Sequence, residues 1–82
     1  MPPRLPRDLS GTDLARLLRR YGYAPTRQTG SHMRLTTQQN GEHHITIPAH
    51  DALRLGTLSA IIGAVAEHLG MPRDEVITEL FP

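Results

Sequence analysis

The chain has 82 residues, among them nine arginines, eight acidic residues, five histidines and neither lysine nor cysteine. That is enough for one small domain and too short for two cores. The lack of cysteine excludes a disulfide framework, a thiolate zinc site and a cysteine nucleophile, and the longest strongly apolar stretch, Ile61 to Val65, is far too short to cross a bilayer.

The net charge of +1 hides an asymmetry. Residues 1–55 carry eight Arg against four acids, whereas residues 56–82 carry Arg73 against Glu67, Asp74, Glu75 and Glu79. The first two-thirds can therefore face an anion while the last third does not.

In chain order, residues 1–8 are rich in Pro and Arg, without periodicity and without the apolar run of a signal peptide. They read as a mobile tail on a soluble, cytoplasmic protein. Residues 9–82 then read as a single domain, with 70–82 as a C-terminal helical extension. Ser10 with Asp13 three residues on makes a capping-box pattern, and Leu9 with Leu14 a hydrophobic staple. Leu14, Leu17, Leu18 and Tyr21 recur at helical spacing, and Gly22 is a natural C-cap. A helix over 11–21 follows, with Arg16, Arg19 and Arg20 largely off its apolar stripe. Tyr23 to Thr29 reads as a short strand and a bend ending at Gly30-Ser31, with Tyr23 at the core edge.

Two better strands, His32 to Gln38 and Glu42 to Pro48, flank Gln39-Asn40-Gly41, which signals a hairpin. The register follows from the apolar residues. A two-residue loop would send Met33 and Leu35 to one face and Ile45 and Ile47 to the other. A three-residue loop with Gly41 left-handed pairs Gln38 with Glu42, so Leu35 faces Ile45 and Met33 faces Ile47. The other face then carries His32, Arg34, Thr36 and Gln38 beside Glu42, His44, Thr46 and Pro48.

Ala49 to Gly56 reads as a loop, and Thr57 as the cap of a second helix with a stripe at Leu58, Ile61, Ile62, Val65 and Leu69, ended by Gly70. Pro72, Asp74 and Glu75 suit the first turn of a short third helix. The fold class is α+β, an α-β-β-β-α order with a three-stranded antiparallel sheet, the two main helices on one face and a short C-terminal helix. The opposite sheet face is left open.

Four of the five histidines lie between residues 32 and 50, on or beside that face. His43 and His44 are adjacent in a strand and point to opposite sides, so no metal site is expected. Acid–base catalysis is a second use. In a metal-independent ribonuclease a base takes the proton of the ribose 2′-hydroxyl, an acid protonates the leaving 5′-oxygen, and cations stabilise the phosphorane. His32 beside Gly30 and Ser31 supplies an imidazole and small neighbours, and Arg27, Arg34 and His44 supply donors. RNA binding without cleavage is the third use. His43 and His68 read as solvated surface residues.

The run Ser10-Gly-x-x-Leu14-x-x-Leu17-Leu18-x-x-Tyr21-Gly22-Tyr23 and then Arg27-Gln28-x-Gly30-Ser31-His32 resembles the HicA toxin family. His44-Ile45-Thr46-Ile47-Pro48-x-His50 and Leu55-Gly56-Thr57-Leu58 continue the resemblance, which covers roughly residues 10–69. It implies a double-stranded-RNA-binding-like fold and metal-free, cofactor-free cleavage of mRNA. It implies His32 as the catalytic histidine and a HicB-type antitoxin as the protein partner. Arg27, Gly30, Ser31, Arg34, His44 and His50 are the expected RNA-binding residues. Met33 departs from the pattern, in which a second histidine often follows the motif, and residues 71–82 extend past the family core.

Overall fold

A computed structural model describes residues 4–82, so the first three residues of the tail expected over 1–8 lie outside the described residues. The architecture is α+β. Helix α1 (Gly11–Leu17) runs into a 3₁₀ turn (Leu18–Tyr21), followed by β1 (Ala24–Thr29), β2 (His32–Thr37), β3 (His43–Pro48), α2 (Leu55–Leu69) and α3 (Arg73–Leu80). The strands form one antiparallel sheet in the order β1-β2-β3.

Helix α1 starts where the capping pattern places it. The Asp13 amide donates to Ser10 Oγ at 3.0 Å, although the Asp13 carboxylate turns to Arg16 instead of closing the box. The helix expected over 11–21 tightens to 3₁₀ geometry after Leu17 and stops at Gly22, whose φ of 80° is left-handed. A Cβ at Gly22 would also crowd Thr37 Oγ1.

The hairpin register is the one the apolar pattern requires, with Met33 against Ile47, Leu35 against Ile45 and Thr37 against His43. Gly41 has φ 97°, and Asn40 before it is also left-handed at 57°. Strands β1 and β2 join through the two-residue turn Gly30-Ser31, with Thr29 opposite His32. Positive φ at the first loop residue, 57° at Gly30, suits a type II′ hairpin turn.

Helices α1 and α2 pack on β3, and α3 packs on α2. Leu14, Leu18, Leu35, Ile47, Leu58, Ile62, Val65 and Val76 are fully buried, and Leu5 and Leu9 pack against this core from the N-terminal segment. Met33, absent from the open face, is buried in the same core.

Two local expectations change. Helix α2 begins at Leu55 with Arg54 as N-cap, and Thr57 is its third residue, making no cap bond. The supposed loop before it is already anchored: Leu53 is buried, and its amide donates to the Leu9 carbonyl at 2.7 Å. That anchor lets the helix start three residues earlier than a Thr57 cap would place it. Tyr23 is fully buried and not merely at the core edge.

Candidate functional site

Strand alternation and register build the open face in rows across the sheet. Thr29, His32 and Pro48 are cross-strand neighbours; in the next row Arg27, Arg34 and Thr46 lie side by side. Further along, Thr36 faces His44, and Gln38 and Glu42 close the series at the hairpin end.

A register shift between Pro25 and Arg27 adds Thr26 as a bulged residue. Thr26 Oγ1 consequently lies 2.9 Å from Thr36 Oγ1, and Thr26 donates weakly to the Arg34 carbonyl. No sequence signal announces this bulge, so Thr26 joins the face unannounced.

Arg27, Thr29, His32, Arg34 and Thr46 line one shallow depression. His32, Arg27 and Arg34 are exposed. Arg27 and Arg34 are direct cross-strand partners, and neither has an ion-pair partner among the described residues. Like charges opposite one another in a sheet are destabilising, and an anion held between the two would relieve that repulsion. Guanidinium forks match phosphate oxygens geometrically.

Gly30 and Ser31 form the turn that delivers His32 to the start of β2. The Ser31 carbonyl accepts from the Ala49 amide at 2.6 Å, which ties this turn to the end of β3. His44 stands on the same face, farther from His32. Its Nδ1 is 2.7 Å from Thr36 Oγ1, and its Nε2 is 3.3 Å from Glu42 Oε2.

His50 is separate. It is exposed and lines a second depression with Pro48, Ala52, Leu53, Arg54 and Thr57 at the start of α2. Its carbonyl accepts from the Gly11 amide at 3.0 Å. The six expected RNA-binding residues therefore fall in three places: beside His32, two rows from it at His44, and past the end of β3 at His50.

The reading of His43 and His68 as solvated is corrected by the structure. The two rings stack with centroids 4.3 Å apart, and Tyr23 meets His43 edge-on with its hydroxyl 2.7 Å from Nδ1. His68 Nε2 lies 2.9 and 3.0 Å from the Gln39 and Gly41 carbonyls. Both partners are acceptors, so Nε2 carries the hydrogen. Burial, and then the neighbouring His68 and His44, hold the His43 imidazole below its ordinary pKa. Burial pushes the Tyr23 phenol up to about 12.

Among the described residues no three His, Asp or Glu side chains converge as a metal-binding group, and no helix is long and apolar enough to cross a membrane. No curated protein and no solved structure matches the chain. A family model described as the HicA toxin of bacterial toxin–antitoxin matches residues 11–71, from the first helix through the sheet to the end of α2. This span covers most of the chain and contains every strand of the open face, and on that match the chain belongs to the HicA toxin family.

Proposed function

We propose that this toxin is a metal-independent endoribonuclease that cleaves mRNA and so blocks translation. His32 exchanges the proton of the reaction as its general base or acid. The observation that carries the reading is the unpaired Arg27–Arg34 couple across the strands beside an exposed imidazole.

In the reaction, the ribose 2′-oxygen attacks the adjacent phosphorus as its proton is removed. The bond to the 5′-oxygen breaks, and that oxygen takes up a proton, leaving a 2′,3′-cyclic phosphate and a 5′-hydroxyl. Arg27 and Arg34 hold the phosphate oxygens and offset the charge that builds on them. Gly30 and Ser31 keep the turn small enough for a backbone to approach His32, while His44 and His50 contact the strand on either side.

The family supports a HicB-type antitoxin as the neutralising partner and the cytoplasm as the place of action. A cover for the cationic open face would silence the toxin.

The test is incubation of RNA with pure protein in EDTA. Cleavage is expected, and His32→Ala is expected to lower its rate by about 10²–10⁴-fold and to abolish growth arrest with an unchanged circular dichroism spectrum. A His32→Ala protein cutting at the wild-type rate would overturn the role of His32. Loss of all cutting in EDTA, restored by a divalent ion, would overturn the metal-free mechanism. An RNA gel shift without cleavage would make the chain a binding module.

A further inference from the structure

The open face carries one carboxylate among its arginines, histidines and threonines, and the phosphate reading leaves it unused. Glu42 stands at the hairpin end with its side chain 62 % exposed. Its Oε1 accepts from Gln38 Nε2 at 3.3 Å, and its Oε2 lies 3.3 Å from His44 Nε2. Both contacts are long, and an exposed pair of this kind adds little to stability. A free carboxylate repels phosphate, so its place on a track for a polyanion suits a group that presents N–H donors. In a single strand those donors are on the base edges.

Spacing places this group along the strand and not at the cleaved bond. Rows on the open face repeat every two residues, about 6.6 Å, close to the step between phosphates of an extended nucleic-acid strand. Thr36 and His44 are two rows from His32, and Gln38 and Glu42 are three, so roughly 13–20 Å separates the two ends. His44 is positioned for stacking. Its Nδ1 is held by Thr36, which is held in turn by Thr26 from β1, and its side chain is 39 % exposed. Histidine rings are among the surfaces on which splayed RNA bases stack.

The carboxylate selects the base. Its two oxygens accept two parallel N–H bonds, and guanine alone offers two adjacent donors, N1–H and N2–H, on its Watson–Crick edge. Adenine and cytosine set one amino group beside a ring acceptor, and uracil sets one N–H between two carbonyls, so each would press a lone pair against Glu42. The Gln38 amide, released from Glu42, can then donate to guanine O6.

Resting on the ribonuclease reading, we propose that Glu42, with Gln38 and the stacked ring of His44, reads a guanine two or three nucleotides from the cleaved bond. The experiment is digestion of a random-sequence RNA by the wild-type protein and by Glu42→Gln, with the new ends mapped by sequencing. Guanine is expected to be enriched at one fixed position two or three nucleotides from the cut. In Glu42→Gln the ratio of cuts at guanine-bearing to guanine-free sites is expected to fall about tenfold, the discrimination of one good bidentate contact. With the wild-type protein, an oligonucleotide carrying inosine at that position, which lacks the N2 amino group, is expected to be cut about tenfold more slowly.

Cleavage without guanine enrichment, enrichment that Glu42→Gln retains, or inosine cut as fast as guanine would each overturn the assignment while leaving the ribonuclease reading intact. A wild-type protein that cuts no RNA would overturn both.

Discussion

Gly11 and Gly56 both sit in the first turn of a helix, yet their surroundings differ completely. A Cβ at Gly11 would overlap the Pro48 carbonyl oxygen and press on the Ala49 backbone, whereas one at Gly56 would meet nothing within 4 Å. Helix α1 thus rests directly on the end of β3, opposite the start of β2 where His32 stands. Gly11→Ala must push the helix off the strand, at a cost of about 1–3 kcal/mol, or roughly 4–24 °C in melting temperature for a domain of this size. Gly56→Ala should instead stabilise by about 0.4–1 kcal/mol through lost freedom of the unfolded chain. Thermal melts of the two variants decide it, and equal shifts in one direction would contradict the packing. The spacing of the first helix made Gly11 look like an ordinary residue after a cap, because the strand that touches it lies 37 positions away in sequence.

At the scale of elements, the β2–β3 hairpin is fastened to the end of α2. His68 of α2 donates to the Gln39 and Gly41 carbonyls, and Asn40 Nδ2 donates back to the His68 carbonyl at 2.8 Å. His43 fills the space between His68 and Tyr23. The groups facing it are Tyr23 and, from α2, His68 and the Glu67 carboxylate, with His44 beside it on the opposite side of its own strand; burial and the two histidines lower its pKa, and Glu67 opposes them. In the neutral form His43 Nδ1 can accept from the buried Tyr23 hydroxyl or donate to it, according to the tautomer. A protonated ring could only donate there, and it would face a second imidazole.

Since the folded-state value is lowered, the fold resists a proton that the unfolded chain accepts near 6.5. The stability held by His43 is therefore complete above about pH 6.5 and is lost as the pH falls through that value towards the folded one. The melting temperature should drop between pH 7 and pH 5, with lower hydrogen-exchange protection at residues 38–41 relative to the intrinsic rate at each pH, and His43→Gln should flatten the drop. A variant with the same pH slope as the wild type would remove His43 from this account. The strand alternation that put Ile45 and Ile47 in the core puts His43 on that same side, so its side of the sheet was legible although its half-burial, read as a solvated surface, was not. Its partner was not, because His68 is brought in by the docking of a separate element. The Thr26 bulge is illegible for a similar reason: it exists only through the pairing of β1 with β2.

For the molecule as a whole, the open face stays free because the last segment goes elsewhere. Sequence alone left residues 71–82 able to cover the sheet, meet a partner or make a dimer, since three apolar residues in a short amphipathic helix fit any of these. Instead α3 packs on α2, burying Val76, Ile77 and Leu80. Arg73 donates to the Ser59 carbonyl at 2.8 Å and to Ser59 Oγ. The Tyr21 hydroxyl donates to Glu79 at 2.6 Å, Arg20 lies 3.3 Å from the same carboxylate, and burial followed by this bond raises the phenol pKa.

The acidic end of the chain is thus tied to the helical side, which separates Asp74, Glu75 and Glu79 from the arginines of the open face. All of α3 lies past residue 71, where the family match ends, yet it is part of the core. Burying three such side chains is worth about 5–9 kcal/mol at roughly 1.5–3 kcal/mol each, against about 4–12 kcal/mol for a whole domain of 82 residues. A chain ending at Gly70 should therefore lose its cooperative thermal transition and the dispersion of its amide NMR spectrum, and with them any RNA cleavage. Leu80→Ala, at a cost of about 2–5 kcal/mol, should stay folded in the cold and melt earlier. If the shortened chain instead melts with the wild-type midpoint, α3 is an appendage and the core closes without it.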